Sequence, residues 1–163
     1  MFSEDQIVSC FARRCRETGG TVLAQGANQA AGFRYMPPKC SWKSPDVVCS
    51  WDGALLVCEA KCSTGALFTR YRGNLSDFEA LGWLQASMEA QSALAGEARR
   101  RLSVMGKPFR SGSPFQTAVL SAGPFDRFLS QLRAADVQAY HCTCSTGVVI
   151  RESPARQSSL YPL

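Results

Sequence analysis

The sequence contains no apolar run that approaches the roughly 18 to 20 residues needed to span a membrane. Glu4 and Asp5 lie where a secretory signal peptide would carry positive charge and then an apolar stretch. The glycine-rich stretches lack the Gly-Lys-Ser/Thr ending of a phosphate-binding loop, and no internal repeat is visible. We therefore expect a cytoplasmic protein that does not bind membranes and does not hydrolyse nucleotides through such a loop.

The chain contains a single histidine, His141. It lies between strand-like residues and beside Cys142. A lone histidine in these surroundings is more typical of a structural residue than of a catalytic one. A Cys–His nucleophile pair is the alternative, but no recognisable signature accompanies it.

Charged residues make up only 19% of the 163 residues, and hydrophobic residues make up 45%. This composition and length fit one globular domain, which we place at 1–152, followed by a polar tail at 153–163. Lys and Arg number 18 against 13 Asp and Glu, and 14 of those cations are Arg. The excess permits a nucleic-acid partner because guanidinium groups bind phosphate in a bidentate manner. A codon bias towards Arg explains it equally well.

The chain has eight cysteines. They are Cys10, Cys15, Cys40, Cys49, Cys58, Cys62, Cys142 and Cys144. Without a secretion signal, free thiols are the expected state. The alternatives are a zinc or iron–sulfur site, for which the spacings fit poorly, and a disulfide framework.

Hydrophobic periodicity predicts an α/β fold in the order α-β-ββ-α-β-α-ββ, with a mixed central sheet flanked by helices. The predicted helices are 3–18, 76 to just before Gly106, and 124–135. The predicted strands are 21–24, 46–51, 54–61, 115–120, 137–142 and 148–151, the last two joined by a turn at 145–147. Polar loops are expected at 25–44 and 62–74. Met88 is expected on the buried face of the long helix.

Asp52-Gly53 between two apolar runs predicts a tight hairpin, because a type I′ turn needs positive φ at both central residues. In that register Asp46 lies directly opposite Glu59, on the same face of the sheet. Lys61 lies two residues further along the strand and shares that face. Three ionisable side chains therefore converge at the open end of the hairpin, while the alternate residues, including Cys58, face the core.

Two carboxylates so close repel each other unless a positive charge lies between them. A hard divalent cation such as Mg²⁺ suits these oxygen ligands, and Mn²⁺ can substitute. Lys61 beside the cation is placed to orient a water or to stabilise developing negative charge. Carboxylate, carboxylate, lysine and Mg²⁺ together describe phosphodiester hydrolysis better than any other common reaction.

Pro45-Asp46, a spacer of 12 residues and then Glu59-Ala60-Lys61 resemble the motif of the PD-(D/E)XK nucleases. The predicted elements over residues 3–122 also resemble the αβββαβ, restriction-endonuclease-like core of that superfamily. The compact chain and Leu75-Ser76-Asp77-Phe78-Glu79 look most like the small Holliday-junction resolvases. That resemblance implies Mg²⁺-dependent nicking of branched DNA by a homodimer. A restriction or defence DNase of the same fold and an inactive nucleic-acid-binding module are the alternatives.

Carried over residue by residue, the resemblance makes Asp46 and Glu59 the metal-binding acids and Lys61 the catalytic lysine. Glu4 matches the helix acid that completes many such sites, with Asp5 and Glu17 as alternatives. Gln85 loosely matches a supporting polar residue on the helix that follows the motif. A polar residue at the edge of an apolar helix face is the competing explanation for Gln85.

The loops on both sides of the motif are basic and are predicted to contact DNA phosphates. The residues are Arg34, Lys39 and Lys43 before the motif, and Arg70 and Arg72 after it. Interleaved aromatic residues provide surfaces on which unpaired bases can stack. They are Phe33, Tyr35, Trp42, Phe68 and Tyr71. Ordinary solvated loops with aromatic anchors are the plainer interpretation.

Overall fold

The computed structural model describes residues 3–109, 112, 114–143, 149–151 and 163, with the backbone alone at 149–151. The turn predicted at 145–147 and the tail predicted at 153–163, apart from its last residue, lie outside the described residues. The helices are α1 (Glu4–Glu17), α2 (Thr64–Leu67), α3 (Asp77–Ala86), α4 (Met88–Val104) and α5 (Leu129–Ala135). The strands are β1 (Thr21–Gln25), β2 (Val47–Trp51), β3 (Ala54–Ala60), β4 (Phe115–Ser121), β5 (Gln138–Cys142) and β6 (Val149–Arg151).

The described strands form one six-stranded sheet in the order β1-β2-β3-β4-β5-β6. The pairs β1–β2, β2–β3 and β5–β6 are antiparallel, whereas β3–β4 and β4–β5 are parallel. A parallel pair needs a crossover connection, which the helices between β3 and β4 provide. The predicted mixed α/β fold, with a helix, three strands, helices and a further strand, is therefore confirmed.

Side chains of β2 and β3 alternate between two hydrophobic cores. On one face, α1 packs Ile7 and Phe11 against Cys49 and Leu56. On the other face, α3, α4 and α5 cover a cluster that includes Val57. The alternation follows the period of two of a β-strand, and both faces of the sheet are buried. A charged residue on either central strand is consequently confined to a strand end.

The helix predicted from 76 to just before Gly106 is in fact two helices that meet at Ser87. Ser87 has an extended backbone, and its side chain accepts a hydrogen bond from Ala90 N at 3.2 Å, which makes it the N-cap of α4. Gln91 Nε2 donates to the carbonyls of Leu84 and Gln85 at the end of α3. The break rotates Met88 to the surface, where it is 74% exposed, so its predicted burial was wrong.

The two segments predicted as loops contain short helices. A 3₁₀ helix spans Gln29–Phe33 and buries Phe33, and α2 buries Leu67. The predicted helix at 124–135 begins with a 3₁₀ turn at Asp126–Phe128 before α5. Seven cysteines are described, and all seven are free thiols; Cys144 lies outside the described residues. In the described ranges, no helix combines the length and the apolar character needed to cross a membrane.

Candidate active site

The predicted hairpin forms in the predicted register. Asp52 and Gly53 have φ values of 47° and 90°, as a type I′ turn requires. Trp51 pairs with Ala54, and Val47 pairs with Cys58. The paired register ends there, and Asp46 and Glu59 follow at the open end of the hairpin, where Asp46 N donates to Cys58 O at 2.9 Å.

The carboxyl groups of Asp46 and Glu59 lie close enough that the charge of Asp46 raises the pKa of Glu59. Asp46 Oδ2 also accepts a hydrogen bond from Ala60 N at 2.7 Å. Glu59 is only 5% exposed, and its Oε1 accepts a hydrogen bond of 3.0 Å from the buried hydroxyl of Tyr35. Two adjacent acids are thus held in a fixed arrangement where the sheet ends.

Lys61 follows β3 directly and lies between the starts of two helices. Its Nζ is 3.7 Å from Glu4 Oε1 at the start of α1 and 3.9 Å from Asp77 Oδ2 at the start of α3. Asp77 Oδ1 in turn accepts a hydrogen bond of 3.0 Å from Lys43 Nζ. Acids in the first turn of a helix are favoured by the helix dipole, which explains why both helices can begin with one. The site therefore combines four acids and two lysines.

Burial and like charge control the protonation of the carboxyl pair. Burial raises the pKa of Glu59 well above its usual range, and the charges of Asp46 and Asp77 raise it further. Lys43 and the hydrogen bond from Tyr35 offset part of that rise. Burial also raises the pKa of Asp46, although its hydrogen bonds to Ala60 and Glu59 act in the opposite direction. Both acids of the pair therefore retain a proton more strongly than free carboxyl groups do.

Lys61 is held in its charged form. Burial alone would lower the pKa of Lys61, but the charges of Asp77, Glu4 and the carboxyl pair outweigh that effect, and the pKa is raised. An ammonium group with a raised pKa remains protonated at neutral pH. Lys61 can accordingly donate hydrogen bonds and stabilise negative charge, whereas it is poorly suited to act as a general base.

Of the three acids considered for the helix position, the structure places Glu4 at the site. Glu17 lies at the far end of α1 and pairs with Arg13 and Arg14. Asp5 is exposed in the first turn of α1. The approach of Glu4 to Lys61 agrees with the predicted position, while its participation in chemistry stays a prediction.

Gln85 binds the start of β4. Its Oε1 accepts hydrogen bonds of 2.8 Å from both the backbone N and the hydroxyl of Thr117, and its Nε2 donates to Phe115 O at 3.1 Å. These bonds attach α3 to the sheet, which accounts for a polar residue on this helix edge. The presence of Gln85 on this helix is therefore explained without the supporting role at the active site that the resemblance implied. His141 lies on β5, and its Nε2 is 2.9 Å from Ala122 O.

Two residues of the site were not predicted from the sequence. Tyr35 reaches Glu59 because a loop folds back over the end of the hairpin. Asp77 reaches both lysines from the first position of α3. A signal for Asp77 was present in the sequence, since Ser76 is followed three residues later by Glu79. The two form a capping box that fixes the helix start at Asp77.

The five predicted DNA-contacting cations have different surroundings. Lys43 is half-buried and bound to Asp77, so it belongs to the site itself. Arg70 forms a bidentate ion pair with Glu79, and this pairing lowers the pKa of Glu79 to about 2. Arg34, Lys39 and Arg72 are exposed.

A cleft of about 590 Å³ opens beside the two lysines of the site. Lys43, Lys61 and Asp77 line it on one side, and the exposed ring of Tyr71 lines it as well. Its two lysines make it suitable for an anionic ligand.

Within the described part of the chain, no group of three or more His, Cys, Asp or Glu side chains is arranged to hold a metal ion. The carboxyl pair of Asp46 and Glu59 nevertheless fits Mg²⁺, which commonly uses one or two carboxylates and retains several waters. Burial and neighbouring acids raise the pKa of both residues, and Lys43 offsets only part of that rise for Glu59. A bound divalent cation would favour the charged form of both acids.

Comparisons with known proteins do not assign a family. No protein-family model matches the chain, and no curated protein is significantly similar to it. A crystal structure of an XisH family protein from Nostoc punctiforme PCC 73102 is similar with a TM-score of 0.41 and 12% identity, covering 90% of this chain and 95% of that chain. Similarity at this level indicates neither a common site nor a common activity. The resemblance to PD-(D/E)XK nucleases thus rests on the residues of the chain itself.

Proposed function

We propose that this chain is a Mg²⁺-dependent endonuclease of the PD-(D/E)XK type that hydrolyses DNA phosphodiester bonds. The observation that carries the proposal is the convergence of Asp46 and Glu59 at the open end of the hairpin, with Lys61 directly after β3 and its ammonium group 3.7 Å from Glu4. Among common enzyme reactions, hydrolysis of an anionic ester makes best use of two metal-binding acids beside a permanently charged lysine.

Each residue of the site has a role that follows from its surroundings. Asp46 and Glu59 would hold the cation, which when bound polarises a phosphate oxygen and lowers the pKa of a coordinated water. Tyr35 and the backbone N of Ala60 keep the two acids in place through their hydrogen bonds. Lys61 remains protonated and stabilises negative charge that develops on the phosphate.

The proposed substrate is branched DNA, and the proposed working form is a homodimer. Both proposals follow the resemblance to junction resolvases. Two symmetric nicks across a junction require two active sites, which a two-fold dimer supplies. Sedimentation with and without a four-way junction tests the dimer, and a monomer under both conditions would contradict it.

The proposed activity is tested by a cleavage assay with Mg²⁺, and in parallel with Mn²⁺, on a four-way junction, a matched duplex and a single strand. The variants are Lys61→Ala and, as a matched control, Lys107→Ala. Lys107 bonds Thr21 at the far end of the sheet from the site. We expect Lys61→Ala to lower the rate by about 100-fold or more, as loss of a group that stabilises transition-state charge commonly does, and Lys107→Ala to cleave normally.

The outcomes separate the alternatives. Paired nicks in the junction that disappear in Lys61→Ala support a resolvase. Cleavage of duplex in preference to the junction would support the catalytic site but would identify a restriction or defence DNase. Binding of DNA without cleavage under any condition contradicts the proposed enzyme and identifies a binding module.

A further inference from the structure

Two exposed aromatic rings adjoin the candidate active site, and an arginine covers each of them. Trp42 is 58% exposed, and the guanidinium carbon of Arg34 lies 5.6 Å from its ring centre. Tyr71 is 70% exposed, and the guanidinium carbon of Arg72 lies 5.2 Å from its ring centre. An arginine on one face of a ring leaves the other face, and the guanidinium plane itself, available to a flat ligand.

The other aromatic residues of these loops are not available for this role. Phe33 and Tyr35 are buried. Phe68 stacks on Phe128 with ring centres 3.9 Å apart, and it also contacts Phe125. The structure therefore separates the five aromatic residues singled out in the sequence into three structural ones and two surface ones. An arginine also lies over buried Phe33, so exposure of the ring is what distinguishes Trp42 and Tyr71.

Both rings lie on loops that are closed by backbone hydrogen bonds. The loop with Trp42 is closed where Tyr35 N donates to Lys43 O at 3.0 Å and Lys43 N donates to Tyr35 O at 2.8 Å. The loop with Tyr71 is a tight turn in which Asn74 N donates to Tyr71 O at 3.1 Å. Closed loops hold their side chains in position before a ligand arrives, which reduces the entropy lost on binding.

The backbone of these loops is strained at two basic residues. Lys39 and Arg72 have φ values of 60° and 52°. Among the described non-glycine residues, only Asp52 and Asp136 share this conformation, and Asp tolerates it better than Lys or Arg. Strain of this kind concentrates at functional sites.

Each ring also lines a depression that contains a residue of the candidate active site. Trp42 lines an apolar groove of about 350 Å³ together with Arg34 and Tyr35, the residue that bonds Glu59. Tyr71 lines the cleft that contains Lys43 and Lys61. Each depression thus combines a flat ring with a cation, which matches a base and a phosphate of a single strand.

From these contacts we propose that Trp42 and Tyr71 form a binding site for single-stranded nucleic acid, with unpaired bases stacked on the two rings. This inference rests on the proposed function. It specifies which part of the DNA substrate the site binds, namely unpaired nucleotides. Arg34, Lys39 and Arg72 contact the phosphates of the bound strand. Within the described part of the chain, neither Arg34 nor Arg72 forms an ion pair, so both charges face solvent.

The site is tested by fluorescence anisotropy in EDTA, where no hydrolysis occurs. The probes are an oligothymidylate of about 20 nucleotides, the matched oligouridylate, an abasic strand of equal length and a blunt duplex. The abasic strand carries the same phosphate charge without bases, so it separates stacking from electrostatic attraction. The variants are Trp42→Ala, Tyr71→Ala and Trp42→Tyr, with Val104→Ala as an exposed apolar control on α4.

We expect the full chain to bind the oligothymidylate at least fivefold more tightly than the abasic strand, and each alanine variant to lose about fivefold or more on that probe alone. Trp42→Tyr should restore most of the loss, and Val104→Ala should bind normally. Equal binding of the thymidylate and abasic strands would overturn the proposal. An equal loss of affinity for the thymidylate and abasic strands in the alanine variants would also overturn the proposal.

Failure of this inference is distinguishable from failure of the proposed activity. Base stacking in EDTA without any cleavage in Mg²⁺ would support the binding site and contradict the nuclease activity. Cleavage of DNA with equal binding of every probe would support the nuclease activity and contradict the stacking site. Tight binding of the oligouridylate supports the proposal too, because both kinds of strand present bases.

Discussion

The hydroxyl of Tyr35 donates a hydrogen bond of 3.0 Å to Glu59 Oε1, and both residues are buried. Burial raises the pKa of Tyr35 well above its usual value, so this hydroxyl keeps its proton and acts as a donor. The bond joins Tyr35, which lies 24 positions before Glu59 in the chain, to the end of β3. It fixes one of the two acids on which the proposed chemistry depends.

Replacing Tyr35 by Phe should destabilise the protein. The change leaves an oxygen of Glu59 buried without its donor, which typically lowers the free energy of unfolding by about 1–3 kcal/mol. It should also raise the pKa of Glu59, because the lost bond favours the charged form. Urea unfolding measures the first effect. Tyr71→Phe is the matched control, since its exposed hydroxyl should change stability by less than about 0.5 kcal/mol. Equal stability of the two variants would contradict the role given to Tyr35.

The raised pKa of Glu59 predicts a specific dependence of stability on pH in the absence of divalent cations. A carboxyl group with a raised folded-state pKa binds its proton more tightly in the folded protein. The stabilisation that Glu59 contributes is fully present below its pKa in the unfolded chain, about 4.3. It is lost as pH rises through the pKa of Glu59 in the folded protein. The free energy of unfolding should therefore fall as pH rises from that value towards neutrality.

Glu59→Gln should remove much of this dependence, because glutamine keeps the acceptor for Tyr35 and does not titrate. At pH 8 in EDTA we expect the variant to be more stable than the original chain by about 1–3 kcal/mol, and near pH 4 the difference should disappear. Denaturant titrations at several pH values measure this. If the two proteins show the same slope of stability with pH, Glu59 is not the titrating group.

Asp77→Asn should lower two pKa values at once. The Asp77 carboxylate contributes to the raised pKa of Lys61 and to the raised pKa of Glu59, so its removal shifts both downwards. Carbon-13 NMR titrations of the lysine Cε and the glutamate carboxyl carbons report each group. Asp126→Asn, at an exposed acid on a different segment, is the control and should leave both titrations unchanged.

The site was predictable where it depends on local geometry. The Asp52–Gly53 turn fixes the hairpin register, and that register brings Asp46 and Glu59 to the same open end of the hairpin. The contribution of Tyr35 was not predictable, because it depends on how a long irregular segment folds back over the sheet. Phe33 and Tyr35 looked alike in the sequence as loop aromatics, and only tertiary packing buries both of them while Trp42 stays exposed.

The break at Ser87 shows why element boundaries were harder to predict than element types. Apolar residues at helical spacing continue through this position, and serine is tolerated within a helix. The break depends on the side chain of Gln91, which binds the last carbonyls of α3. No local pattern requires that bond, so a continuous helix was predicted and Met88 was assigned to the wrong face.

The final prediction concerns Mg²⁺ and stability rather than activity. A cation that binds only the folded protein raises its stability by an amount set by the ratio of free cation to dissociation constant. At about ten times that constant the gain is roughly 1.4 kcal/mol, which for a chain of this size corresponds to about 3–6 °C in Tm. Asp46→Asn removes one of the two carboxylates and should abolish the shift, whereas Glu17→Gln, at the far end of α1, should retain it.

Ionic strength must be matched with NaCl, because Mg²⁺ also screens surface charge. The shift should grow between pH 5 and pH 8, because binding requires Glu59 to lose a proton that its environment retains. A shift of the same size in Asp46→Asn would place the cation elsewhere. A complete absence of any shift in the original chain, at Mg²⁺ concentrations that support cleavage, would mean that the carboxyl pair holds the cation only when DNA is present.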